Sequence, residues 1–322
     1  MTRGVGRRVW GVVILAVLMP APLVAQRVTV TGRVLHGAEN RPLPRQMVVL
    51  HEIRRAGGGA LDSTRTDAAG SYRLRIPRVD TTALYLVSTL FHDVAYFSRD
   101  LRVEGRSRME AEPLVVYDTT AGGPPMQLDR RLLTLFRIGE SGGRTVLELI
   151  ELTNPGDHTR ITSDTSAPVW TIALPAGASG WQAGEGDLSP EAIRLAGGRV
   201  QVFAPIWPGA SRQLSFQYSL AAGAVRIPVD QWTRELDLLL EDSTAQLSGA
   251  PFDSLGKHDI EGRRFTAYRA GPLEPGSDVM VRFQDEPLRP ERLVPFIAGA
   301  AAVALGVGLW VALKRKPLAV GR

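Results

Sequence analysis

Leu214-Ser215-Phe216-Gln217-Tyr218-Ser219-Leu220 sets an apolar side chain at every second position. That is the two-residue period of a strand with one covered and one wet face. Tyr72, Leu74 and Ile76 repeat it around Arg73 and Arg75, and Val279, Val281 and Phe283 around Met280 and Arg282. Turn chemistry separates such stretches at intervals of roughly ten residues: Asp67 to Gly70, Gly139 to Gly143, Asn154-Pro155-Gly156-Asp157, Gly197-Gly198, Pro208-Gly209 and Pro275-Gly276. Helical spacing offers no more than one turn, at Ser189-Pro190-Glu191-Ala192-Ile193. The pattern predicts an all-β chain of tandem antiparallel β-sandwich domains.

The two ends read as membrane signals. Arg3, Arg7 and Arg8 precede an apolar run from Val9 to Met19, Pro20 and Pro22 break it, and Ala25 offers a small residue for cleavage. This is the layout of a signal peptide over 1–25. Residues 293–313 form a 21-residue stretch without a charge, followed by Lys314-Arg315-Lys316. At 1.5 Å per residue a helix there reaches about 31 Å, the thickness of a hydrocarbon core. The expected topology is a single C-terminal transmembrane helix, with 314–322 as a cytoplasmic tail by the positive-inside rule. The ectodomain then lies outside the cytoplasmic membrane of a bacterial cell, in the periplasm or cell envelope. Ala298, Ala302 and Gly306 recur at intervals of four and would let two such helices dimerise by close approach.

This topology redistributes the charge. The whole chain carries 38 Lys and Arg against 33 Asp and Glu, a net of +5, which alone would suggest a nucleic-acid partner. Three arginines leave with the signal and four basic residues sit in the tail, so the exported part has 31 basic against 33 acidic side chains, a net of −2. No nucleic-acid surface is expected; Arg54-Arg55, Arg130-Arg131 and Arg263-Arg264 read as isolated, solvated pairs. Cysteine is absent, which excludes disulfides, thiol catalysis and thiolate metal sites.

Tyr117 to Asp129, through Ala121-Gly122-Gly123-Pro124-Pro125, reads as a linker over 118–130. It separates a first domain, 27–117, from a second β-rich region, 131–284. Pro205-Ile206-Trp207-Pro208-Gly209 and Pro272-Leu273-Glu274-Pro275-Gly276 echo each other there, so the region is either one domain or two with a break near Gly223.

The first domain has Thr31-Gly32-Arg33-Val34, then Arg41-Pro42-Leu43-Pro44 before Met47-Val48-Val49-Leu50, then Thr66-Asp67-Ala68-Ala69-Gly70-Ser71-Tyr72-Arg73 and Ile76-Pro77. These pieces resemble the carboxypeptidase regulatory-like domain, a small transthyretin-like β-sandwich. The resemblance implies a module with no active site of its own, found beside peptidases, receptors and surface proteins. Arg45 departs from it, because that family usually has Gly at the end of the Pro-rich turn. Physically, the motif sets a glycine where strands approach and a turn that brings an aromatic ring into the core.

Candidate chemistry is sparse. Gly139-Glu140-Ser141-Gly142-Gly143 fits G-x-S-x-G, but a nucleophile elbow needs a strand before it and a helix after it. A β-hairpin turn is the expected reading, and a serine hydrolase at Ser141 the most remote one. His36, His51, His92, His158 and His258 have no metal-binding spacing. Glu148 and Glu151 point to opposite faces of a strand and read as solvent charge. Gly57-Gly58-Gly59 lacks a following Lys and reads as a hairpin loop. No catalytic residue, metal or cofactor is expected. Trp181, among Gly180, Gly184 and Gly186, and Trp207, between Pro205 and Pro208, are candidate contacts for a protein partner or a sugar ring. Two functions stay open: a non-enzymatic, membrane-anchored envelope protein that binds or organises other envelope proteins, and a glycan-binding surface module built on these tryptophans.

Overall fold

The computed structural model describes residues 27–283, apart from 38, 104, 140–141, 210 and 242–243. The signal peptide, the apolar stretch 293–313, the basic tail and the Ala298, Ala302 and Gly306 face lie outside the described residues. Among the described residues no helix is long and apolar enough to cross a membrane.

The described residues are all-β with one 3-10 turn among them, Pro190–Ala192, at the short helical signal. In order the strands are β1 (Val28–His36), β2 (Arg41–Pro42), β3 (Met47–Arg54), β4 (Gly57–Arg65), β5 (Ser71–Ile76), β6 (Leu84–Phe91), β7 (Val94–Phe97), β8 (Arg108–Glu110) and β9 (Leu114–Val116). Then follow β10 (Thr119–Thr120), β11 (Gln127–Ile138), β12 (Gly143–Thr153), β13 (Thr159–Arg160), β14 (Trp170–Ala173), β15 (Ser179–Ala183), β16 (Ile193–Ala196) and β17 (Arg199–Val202). The last are β18 (Ser211–Ala221), β19 (Val225–Pro228), β20 (Thr233–Leu240), β21 (Gln246–Ser248), β22 (Asp253–Ile260), β23 (Arg263–Ala270) and β24 (Asp278–Arg282).

The contacts fall into two compact units: residues up to 34 with 42–89 and 97–114, and residues 35–41 with 90–96 and 115 onward. The division differs from the expected one. Residues 118–130 are not a bare linker, since β10 pairs with β13 and β11 enters the large sheet at Gln127. The unit compositions diverge as well. The described span of the first holds 13 arginines against 8 carboxylates, a net of +5, and that of the second, to 283, holds 16 basic against 22 acidic residues, a net of −6.

The first unit's residues form most of two sheets, one running β2-β1-β5 with β8 and β9 also pairing β1, the other running β4-β3-β6-β7. Alternation decides which side chains face inward: Val28, Val30 and Val34 on β1, Val48 and Leu50 on β3, Leu74 and Ile76 on β5 and Val87 on β6 are buried. Gly32 sits directly across from Tyr72, and a Cβ there would lie 2.3 Å from the phenol oxygen. The missing side chain makes room for the ring, which is buried, and burial pushes its hydroxyl up to about 12. Asp67 Oδ1 accepts the backbone N–H groups of Ala69 and Ser71, closing the turn that delivers Tyr72. Arg45 takes the left-handed conformation, φ 58°, the geometry that glycine adopts without steric cost.

In the second unit, a seven-stranded sheet runs β15-β18-β12-β11-β20-β23-β22, with three-stranded sheets β14-β17-β16 and β19-β24-β21. Strands from both sides of Gly223 share the large sheet and one core cluster, from Leu128 and Leu133 to Val279 and Val281. The region is therefore not two tandem sandwiches. Pairing is not wholly antiparallel either: β11 runs parallel to β20, β1 to β8 and β10 to β13. A second apolar cluster, Leu132, Leu149, Leu239, Phe265 and Ala267, lies on the opposite face of the same sheet. The central strands are thus covered on both faces, whereas the alternation had suggested one wet face throughout. Leu238, Leu239 and Leu240 are all buried in succession, the pattern of a strand with no solvent side.

Candidate functional site

Trp181 lies in β15, the edge strand beside β18, and not in a loop. Its ring is half-buried, packs against the main core cluster and tilts against Phe216 at 6.4 Å. Gly180, at φ 61°, sits in a register shift between Ser179 and Gln182, so the glycine that suggested a loop serves a β-bulge. Trp207 is half-buried too, stacked on Tyr96 at 5.2 Å with the Arg212 guanidinium 3.8 Å from its ring centre. Burial lowers the Arg212 pKa, against the pull of Asp187. The structure does not bring the two indoles together. Each is engaged with its own neighbours.

Ser141 lies outside the described residues, but its flanks are clear. β11 and β12 are antiparallel neighbours, closed where Gly139 N–H donates to Gly143 O at 2.8 Å. The G-x-S-x-G stretch therefore joins two strands of a hairpin and no helix follows it. Gly57-Gly58-Gly59 is likewise part of a strand, the start of β4 opposite Glu52 to Arg54, and not a loop.

Three side chains read as solvent charge are buried. Arg131 and Glu148 stand on neighbouring strands in the main core, 1% and 0% exposed, with Nε donating to Oε1 at 2.7 Å. Glu148 Oε2 accepts the Tyr218 hydroxyl at 2.9 Å, and Arg131 Nη1 donates to Pro228 O at 2.5 Å. The arginine thus ties the large sheet to β19 of another sheet. Desolvation and the adjacent carboxylate hold the Tyr218 hydroxyl well above its ordinary range. Arg130, the next residue, points to the opposite face and donates through Nε to Asp237 at 2.6 Å, while Arg269 Nε reaches the other oxygen of Asp237 at 2.7 Å. That hydrogen bond raises the Arg269 pKa. The sequence carried a signal for Glu148: it falls in phase with Val146, Ile150 and Leu152, the inward positions of β12.

Two distant histidines also meet. His36 Nε2 lies 3.2 Å from Asp118 Oδ2 and His92 Nδ1 lies 3.3 Å from Asp118 Oδ1. Phe91 stacks on His92 at 4.1 Å and meets His36 edge-on at 6.0 Å. His92 and Asp93 both have positive φ and form the two-residue turn between β6 and β7, which brings His92 to Asp118. His51 and Glu52 do point to opposite faces of β3, Glu52 inward. Among the described residues no three His, Asp or Glu side chains are grouped to hold a metal ion.

No family model matches the chain, and no curated protein sequence matches it. Solved structures give partial likenesses. The major pilin subunit of Bacillus cereus is 11% identical at a TM-score of 0.21, covering 79% of this chain and 87% of the pilin. An M1 zinc metallopeptidase from Deinococcus radiodurans is 14% identical at 0.31, covering 51% of this chain, which spans 43% of the peptidase. The major plantain pollen allergen Pla l 1 is 14% identical at 0.22, covering 28% of this chain and 93% of the allergen. TM-scores this low carry no argument about activity.

Proposed function

We propose that the chain is a non-enzymatic, single-pass envelope protein of a bacterial cytoplasmic membrane, whose β units bind or organise other envelope proteins. The observation that carries this reading is how the second unit uses its charged groups. Glu148 and Asp237, the deeply buried carboxylates of that unit, are each held by arginines in internal ion pairs. Groups fixed in this way cross-brace a scaffold and are not poised to exchange protons with a substrate. The resemblance of the first domain to a carboxypeptidase regulatory-like module, and the apolar stretches at both ends, support an exported accessory protein. Packing of Trp181 and Trp207 onto their own unit favours the protein-binding reading over the glycan-binding one.

The absence of cysteine makes topology simple to test. A Ser63→Cys variant is expected to react with a membrane-impermeant maleimide in spheroplasts, and a Val320→Cys variant only after lysis. Cross-linking of the membrane-extracted chain should then capture envelope proteins. Labelling of Val320→Cys in intact spheroplasts, or release of the chain by carbonate, would overturn the reading.

A further inference from the structure

The outward face of the β4-β3-β6-β7 sheet in the first unit has no covering layer among the described residues. Inward positions Val48, Leu50, Tyr85 and Val87 are at most 1% exposed. The alternating outward positions are also apolar. Met47, Ile53, Leu84 and Phe97 are 40%, 42%, 42% and 50% exposed, with Val49 and Leu86 half-buried between them. Ile53 stands directly across from Leu84 and His51 from Leu86, so these side chains form one continuous patch. Its polar interruption is self-contained, because His51 Nε2 and Ser88 Oγ bond each other at 2.7 Å.

Arginines border the β3 and β4 side of the patch, and the nearby exposed carboxylates Asp93 and Asp100 flank β7 on its other side. Arg65 is exposed directly across from Met47 and reaches back to donate to Arg45 O at 2.9 Å. Arg45 itself is exposed two residues before Met47, and Arg55 is exposed in the turn beyond Ile53. The outward positions of β3 and β6 carry no carboxylate. A second copy laid face to face would set these arginines against one another. An anionic phospholipid surface instead offers apolar chains to the centre and phosphates to the arginines.

We infer that this sheet face docks on the anionic phospholipid bilayer in which the chain is anchored. The inference rests on the anchored reading, because tethering through 293–313 supplies the high local concentration that lets a small patch bind.

The test uses the full chain in lipid nanodiscs. Leu84→Cys and Phe97→Cys carry an environment-sensitive nitrobenzoxadiazole probe, and Leu195→Cys in the second unit serves as control. In discs with about one third phosphatidylglycerol, spin-labelled lipid should quench the probes at 84 and 97 about twofold or more, and leave 195 nearly unchanged. Neutral phosphatidylcholine discs, about 0.5 M NaCl, or the double substitution Arg45→Glu and Arg65→Glu should each remove at least about half of that quenching. If the double variant fails to fold, the salt and lipid comparisons still decide. Equal, weak quenching at 84, 97 and 195 in anionic discs overturns the inference. A blue-shifted but unquenched probe also overturns it, and a doubled particle mass would then assign the face to a second copy. Failure of the chain to co-elute with discs refutes anchoring itself; co-elution without quenching refutes docking alone.

Discussion

The same three residue types build a polar brace in each unit, in opposite surroundings. In the first, Glu52 accepts the Tyr85 hydroxyl at 2.9 Å and pairs with Arg54 at 2.6 Å, but Arg54 is 54% exposed and also reaches Asp80. In the second, Glu148 accepts Tyr218 and Arg131, and the arginine is 1% exposed. The four-stranded sheet of the first unit has one covered face, so the buried Glu52 is paired by an arginine at its rim that reaches water. The large sheet of the second is covered on both faces, so a central carboxylate must find its partners within the protein. Identical chemistry therefore ends in a water-screened arginine in one unit and in a fully enclosed ion pair in the other.

Truncation should expose that contrast most sharply. Glu148→Ala leaves Arg131 charged and uncompensated in the core, and is expected to cost about 3–5 kcal/mol. Glu52→Ala leaves Arg54 with Asp80 and solvent, and Tyr85 still beside Asp80 N at 2.8 Å, so about 1 kcal/mol is expected. Denaturant unfolding of both variants checks this. The double substitution Arg131→Met and Glu148→Leu should recover most of the loss, since an apolar pair removes the buried charge. Similar costs for Glu52→Ala and Glu148→Ala would break the comparison.

Alkaline pH probes a different group of the first unit. Tyr72 is pushed up to about 12 by burial, against about 10 in an unfolded chain. A raised pKa means that the folded state favours the protonated phenol. Its stabilisation is complete below about pH 10 and is lost as pH rises toward about 12, by roughly 2–3 kcal/mol in all. Tyr72 Oη is buried without a hydrogen-bond partner, so Tyr72→Phe should leave stability near neutral pH almost unchanged and remove this alkaline window. A melting series from pH 9 to 12, compared with the parent chain, reads the difference. An unchanged alkaline slope in Tyr72→Phe would mean that another group governs the first unit's loss of stability.

The periodicity of two carried the all-β class, because alternation at Leu214 to Leu220 and Tyr72 to Ile76 is a local property that packing then uses. What it did not carry was the second covered face. Leu132 and Leu149 look like departures from alternation until Phe265 and Ala267, more than a hundred residues away, cover them. Arg130 misled for the same reason. A charge looks solvated when its partner is remote in sequence, and Asp237 lies 107 residues from Arg130. Gly180, next to Trp181, marked a bulge that periodicity cannot distinguish from a loop. Distant pairing likewise hid the meeting of His36, His92 and Asp118, since register between non-adjacent strands is set by tertiary packing and not by spacing.

The smallest effect falls on Arg45, the first unit's departure from the glycine usual in the domain it resembles. A left-handed residue with a Cβ carries a steric cost of about 1–2 kcal/mol that glycine avoids, while glycine gains about 0.4–1 kcal/mol of unfolded-state freedom. Arg45→Gly should therefore stabilise the first unit by about 0.5 kcal/mol, seen as a slight rise in its unfolding midpoint. The carbonyl that accepts Arg65 belongs to the backbone and survives the change. The guanidinium does not, and with it goes one of the cations beside Met47. The same variant should thus gain stability while losing lipid quenching at Leu84→Cys and Phe97→Cys. A residue kept only by drift would move the first measurement and not the second, so opposite signs would show that arginine is tolerated in a strained turn for its charge.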